Sequence, residues 1–256
     1  MRSWLDWVCL LAAGVSVTLM LSLLWFQAAY TGGGEPLRAL VEPDCYRAMW
    51  VSFYTATVAS VAALALAIPT GYALSRWHFR GMWLVEAFLL IPVIMSPMAL
   101  GVALLLAFRD PPGLWVARWV VFEKAGIMVA QFFVAYAFAV LIIRTTFSSI
   151  DVRLEQVARF LGCSPGQAFW RVTLPLAWPG ILAGFVLGWA RSLGDFGATS
   201  TLAGAVKGKT ETAPVFIYLN LASVSIERAV ALSIVLTLVT IAVLVLVRLL
   251  LGGRRG

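Results

Sequence analysis

Six apolar runs, each long enough to cross a membrane, constrain this chain more than any other feature. They lie near residues 7–30, 51–74, 84–108, 125–143, 176–203 and 229–251. A hydrocarbon core of about 30 Å takes about 20 residues of α-helix, so each run predicts one crossing. No water inside the bilayer satisfies free backbone N–H and C=O groups, which makes helix the conformation for isolated spans. The chain is 62% hydrophobic and 12% charged over 256 residues, and that balance leaves little length for a soluble domain. The expectation is an all-α membrane protein of about six transmembrane helices, with residues 1–256 forming a single transmembrane domain.

Small residues Ala28 and Ala29 follow the first run, as at a signal-peptide cleavage site. The run is longer than the roughly 7–15 residues of a signal core and few basic residues precede it, so it reads as a retained anchor. Cys9, Cys45 and Cys163 fall in or beside separate segments with no CxxC pair, which indicates neither a disulfide framework nor a metal site. The single histidine, His78, sits between Arg76 and Arg80, a setting that suits a solvated membrane edge. A membrane enzyme would need a nucleophile, base or metal set. None is legible, so no catalytic residue, metal or cofactor is expected.

Basic residues in short loops set orientation. Arg76 and Arg80 follow the second run, Arg144, Arg153, Arg159 and Arg171 follow the fourth, and Arg248, Arg254 and Arg255 close the chain. Placing these inside predicts a multi-pass protein of the cytoplasmic membrane with both termini cytoplasmic. The alternate loops also carry basic residues, among them Arg38, Arg47, Lys124, Lys207 and Lys209, so the bias is modest. The net charge of +7 then fits contact with anionic lipid, and the chain lacks the basic and aromatic patches of a nucleic-acid binder.

One stretch, residues 151–175, interrupts the apolar pattern. Leu154, Val157, Ala158 and Leu161 recur at the spacing of one helical face, which predicts a short amphipathic helix at the membrane surface. Gly162 is placed to end it in a left-handed conformation. Ser164 then caps a second short helix, with Pro165 at its first position and Gln167 completing a capping box. That helix carries Phe169, Trp170 and Val172 and is expected to stop before Leu174, because Pro175 disfavours helix at the residue preceding it. The result is a helix, turn, helix on the cytoplasmic side. Two readings of it stand: a surface-lying linker or a docking site.

The stretch resembles the EAA loop of permease subunits of ATP-binding-cassette importers. In that pattern an EAA triplet is followed by three residues, Gly, nine residues, Ile, one residue and LeuPro. Gln156, Val157 and Ala158 occupy the triplet, Gly162 the glycine, and Val172, Leu174 and Pro175 the far end; Glu155 stands one place before the triplet. A second stretch, WARSLGDFGATSTLAG at residues 189–204, is similar to the molybdate and tungstate permeases and their sulfate relatives, with Asp195 where Glu is usual. The resemblance implies a type I importer permease fold. It also implies two permease subunits forming one pathway, here expected to be a homodimer, two cytoplasmic ATPase subunits, and an extracytoplasmic oxyanion-binding protein. Glu155, Gln156, Ala158, Gly162, Ser164, Pro165, Leu174 and Pro175 become the ATPase-coupling candidates.

GAVKGKT, residues 204–210, is not a Walker A motif. Its glycines, Gly204 and Gly208, enclose three residues where the motif needs four, and it follows an apolar helix instead of joining a strand to a helix. It reads as a flexible outer turn, and ATP hydrolysis is expected in a separate chain. Arg191 and Asp195, inside the fifth run and one helical turn apart, are positioned to pair. Charges at such depth cost about 2.5–3.5 kcal/mol each and usually face a bundle interior or a water-filled path. With Ser192 and Gly197 they are the pathway or gate candidates, and a purely structural buried pair is the alternative. Gln131 and Glu86 read as satisfied helix-edge groups. A stand-alone channel or secondary transporter would predict inverted repeats, and none is evident. The leading function is therefore the permease of an oxyanion importer for molybdate or tungstate, with sulfate second.

Overall fold

The computed structural model describes residues 4–30, 42–77, 80–223 and 225–252. His78, Arg38, Arg254 and Arg255, named above, lie outside the described residues. Those described form helices and connecting turns without a strand. In chain order the helices are α1 (Trp4–Tyr30), α2 (Pro43–Arg76), α3 (Met82–Ile94), α4 (Pro97–Ala107), α5 (Leu114–Val120), α6 (Lys124–Ser149), α7 (Val152–Phe160) and α8 (Pro165–Ala168). A π-turn, Phe169–Thr173, leads into α9 (Leu174–Leu193), followed by α10 (Gly197–Ala203), α11 (Ala213–Ala222) and α12 (Ile226–Gly252).

Among the described residues, five helices are long and apolar enough to span a membrane, and six crossings result if the bent pair α3 and α4 counts as one. The third predicted run is therefore not a straight helix. It bends by 113° between its two halves, because Met95 and Ser96 are extended and Ser96 Oγ caps α4 by accepting from Ala99 N. Pro97 begins the second half at a position where its missing N–H costs nothing. The fifth run divides as well: α9 ends at Leu193 and α10 restarts at Gly197.

The bundle core runs along α2, α6 and α9. The buried face of α2 is a stripe of small residues that includes Ala48, Ser52, Ala56, Ala59, Ala63 and Ala67. Small side chains let helix backbones approach closely where lipid supplies no hydrophobic drive, and α2 packs along α6 more extensively than any other pair. Ile143, Phe147 and Ile181 fill the end of this seam nearest α7. The short helices α4 and α10 pack on each other at Gly197: a Cβ there would lie 2.8 Å from Pro97 Cβ and 2.9 Å from Met98 N. Close approach of two backbones is thus the reason for glycine at this gate candidate. None of the apolar stretch of α1 is buried in the protein, as in a lipid-facing helix.

Candidate functional site

The turn between α7 and α8 is fixed at both ends by local chemistry. Asp151 Oδ1 accepts from Arg153 N at 2.9 Å and starts α7. Gly162, at φ +94°, closes it: Gly162 N donates to Arg159 O at 3.0 Å and Cys163 N to Ala158 O at 3.1 Å. Those two bonds form a Schellman motif, which needs the left-handed residue that glycine supplies most cheaply. Ser164 and Gln167 then make the full capping box, Gln167 N to Ser164 Oγ at 3.2 Å and Ser164 N to Gln167 Oε1 at 2.9 Å, with Pro165 at the first helical position.

The second helix does not end before Leu174 and Pro175. It continues through the π-turn into α9, and Leu174 is helical at φ −64°, ψ −45°. Leu174 N donates to Phe169 O, five residues back. Widening the turn by one residue relieves the usual conflict between a proline ring and the preceding turn. Leu174 and Pro175 therefore belong to the first turn of the membrane helix, and the predicted helix, turn, helix is a short helix docked beside the start of a long one.

Of the predicted amphipathic face only Ala158 is buried. Val157, Leu161 and the neighbouring Phe160 and Trp170 stay exposed, Phe160 at 90% and Leu161 at 81%. Gln156, Arg159, Phe160, Cys163 and Pro165 line an open groove of about 640 Å³ beside them. Glu155 points the other way, into the protein. Its Oε1 accepts from Arg76 Nη2 at 2.7 Å and Nε at 3.0 Å, and its Oε2 from Tyr72 OH at 2.9 Å. Burial alone would raise the Glu155 pKa, but the hydrogen bonds from Arg76 and Tyr72 outweigh it and hold the carboxyl below its usual value. Arg76 Nη1 also reaches Phe147 O and Ile150 O, each at 3.2 Å, at the end of α6.

About 30 Å away, at the far end of α9, the other candidates separate. Arg191 and Asp195 form no ion pair among the described residues, because the helix ends between them and Asp195 turns forward. Its Oδ2 accepts from Thr199 N at 3.0 Å and Thr199 Oγ1 at 2.8 Å, so it holds the start of α10. Ser192 faces α6 instead and bonds Gln131, which is fully buried. Sequence reasoning placed Gln131 at a helix edge; the available signal was a lone amide inside an apolar run. Asp195 Oδ1 and Gln131 Oε1 are buried without a hydrogen-bond partner among the described residues. Glu86 pairs with Arg144 at 2.7 Å.

The loop containing GAVKGKT is tied down as well as turned. Val206 N donates to Thr210 Oγ1 and Gly208 N to Glu211 Oε2, while Thr210, Glu211 and Thr212 are buried. Lys207 pairs with Asp44 at 2.9 Å, and Lys209 pairs with Glu123. The Lys207 hydrogen bond to Asp44, with that carboxylate's charge, raises its pKa. Hydrogen-bonding threonines and a glutamate at this spacing were legible in the sequence as polar residues, but not as buried ones.

Comparison with known proteins gives the following. Residues 63–254 match the family described as binding-protein-dependent transport system inner membrane component. The molybdenum transport system permease protein ModB of Mycobacterium tuberculosis is 35% identical, covering 70% of this chain and 70% of the relative. The molybdate/tungstate transport system permease protein WtpB of Pyrococcus abyssi is 31% identical, covering 76% of this chain and 75% of its own. A crystal structure of a bacterial ABC transporter involved in the import of alginate superimposes at a TM-score of 0.76, with 15% identity, 99% of this chain and 96% of the other. At that identity the likeness concerns the fold.

Proposed function

The chain belongs to the binding-protein-dependent transport system inner membrane components, and from that premise we propose that it is the permease subunit of an ATP-driven importer of molybdate or tungstate. The observation that carries the cargo class is its identity with permeases named for molybdenum, and for molybdate and tungstate, over about three-quarters of the chain. The doubly capped turn at Gly162 to Ser164, with an exposed apolar face beside it, supports coupling. Phe160, Leu161 and Trp170 are exposed beside this turn, and a partner ATPase subunit is the occupant this reading assigns.

Two ATPase subunits, a second copy of this chain and an extracytoplasmic oxyanion-binding protein complete the assembly in the cytoplasmic membrane. Residues 151–173 face the cytoplasm in this reading, as do both termini. The hydrolytic chemistry belongs to the ATPase partner. Nearer the outer face, Arg191, Ser192, Asp195 and Gly197 surround the break between α9 and α10. An anion crossing a low-dielectric path is attracted by a nearby guanidinium, and Arg191, which makes no ion pair with Asp195, is the group this reading assigns to supply it. Arg191→Gln is expected to assemble normally and lose import.

The deciding experiment reconstitutes the permease with its ATPase in proteoliposomes. Uptake of molybdate, tungstate and sulfate is measured with the cognate binding protein and ATP. ATP-dependent uptake of molybdate or tungstate in preference to sulfate is expected. Preference for sulfate would move the cargo to the related class, and uptake without ATP would replace the importer by a channel or secondary transporter.

A further inference from the structure

The helix α7 is joined by the chain to α6 on one side and, through the Gly162 turn, to α9 on the other. Neither connection reaches α2, which packs against α6 along most of its length. The polar contacts that do come from two α2 side chains, Arg76 and Tyr72, which meet on Glu155. Arg76, the last residue of α2, spends its Nε and Nη2 on Glu155 of α7 and its Nη1 on the carbonyls of Phe147 and Ile150 at the end of α6. The Arg76 and Glu155 side chains are 8% and 12% exposed. Tyr72, one turn earlier on α2, holds the second Glu155 oxygen. Its ring packs edge-on against Phe147 and against Phe169 of the π-turn.

We propose that Arg76 is a positioning residue for transport, a strut that makes α2 follow the coupling helix α7. The chemistry suits the task. A guanidinium offers donors in a rigid planar fork, so it can satisfy a carboxylate and two backbone carbonyls at once without changing rotamer. Lysine, a single nitrogen on a flexible stem, cannot hold the same three directions. The pair is sheltered from solvent, so salt screens it weakly. A push on α7 is thereby delivered to α2 and α6 together, and the exposed apolar residues beside it stay free for the partner. This inference rests on the importer reading, and the test keeps the two apart.

The purified permease with its ATPase subunits is reconstituted in proteoliposomes with binding protein and molybdate, and import per ATP hydrolysed is recorded. Arg76→Gln is expected to keep complex assembly and ATP hydrolysis while import per ATP falls about tenfold, the size of an ordinary coupling free energy. Tyr72→Phe keeps the ring packing and removes one hydrogen bond, so it is expected to lower the same ratio less. The double variant Arg76→Gln with Glu155→Gln should be no worse than the more impaired single, since both remove one link. An unchanged ratio in Arg76→Gln overturns the proposal, as does an additive loss in the double variant. Should Arg76→Gln fail to assemble, Tyr72→Phe decides: a normal ratio there overturns the strut as well. Absence of ATP-driven import by the wild-type complex would count against the importer reading itself, not against the strut.

Discussion

Ser192 and Gln131 hold one another across the interface of α9 and α6, Ser192 Oγ donating to Gln131 O at 2.9 Å and Gln131 Nε2 to Ser192 O at 3.2 Å. The arrangement joins two long helices through main-chain carbonyls. It leaves the Gln131 Oε1 atom buried without a donor among the described residues.

Replacing Gln131 by leucine removes one hydrogen bond together with the orphaned acceptor. The remaining partner, Ser192 O, still accepts from Asp195 N at 3.1 Å, so no group is stranded and the net change should be within about 1 kcal/mol. Gln131→Leu is therefore expected to melt within a few degrees of the wild type in detergent. Ser192→Ala strands no side-chain group and is expected to cost about 1 kcal/mol. A collapse of either variant on size-exclusion chromatography would show that the contact carries more of the helix pairing than its hydrogen bonds can supply.

At Gly162 the cost of substitution is conformational alone, because a Cβ there would meet nothing within 4 Å while φ is +94°. Gly162→Ala is expected to destabilise the turn by about 1–2 kcal/mol, and Gly162→Val, with a β-branched chain, by more. Ala is expected to weaken ATPase-stimulated import and Val to abolish it. Equal import by wild type and Gly162→Val would reduce this turn to a linker.

The Glu155 carboxylate sets a pH window. Its pKa is lowered in the folded protein, so its contribution is fully present above the ordinary glutamate value of about 4.3 and is lost as pH falls through the lower folded value. The melting difference between wild type and Glu155→Gln should be constant at neutral pH and vanish in acid below that range. A difference that instead grew on acidification would contradict the ion pair with Arg76.

Orientation is open to chemical labelling. On a background lacking Cys9, Cys45 and Cys163, a cysteine at exposed Arg159 should resist an impermeant thiol reagent added outside intact cells. One at exposed Ala205 should react. Reversed labelling would invert the whole assembly and place the coupling turn beyond reach of any cytoplasmic ATPase.

Much of this was legible in the sequence because the signals were local. The ends of α7 and α8 depend on Gly162, Ser164, Pro165 and Gln167, each acting within a few residues, and the structure places them as the spacing predicts. Reading failed where geometry was set from a distance. Pro175 is a helix breaker by its local preference, yet a π-turn absorbs it, and that turn is packed in place by Phe169 against Tyr72 and Phe147, far away in sequence. Arg191 and Asp195 sit at pairing distance only if the helix continues, and the close approach of Gly197 to Pro97 accompanies a break that ends it. Glu155 gave no hint of Arg76, since a contact between residues 79 apart leaves no periodic trace.

Because the π-turn carries the helix through Pro175, residues Pro165–Leu193 form a single rod of 29 residues. At about 1.5 Å per residue such a rod is about 43 Å long, so pivoting it by about 5° about its Pro165 end sweeps its other end sideways by about 4 Å. The break before α10 lies at that far end. A rotation that small at the Pro165 end would thereby become a shift wider than a water molecule beside Asp195.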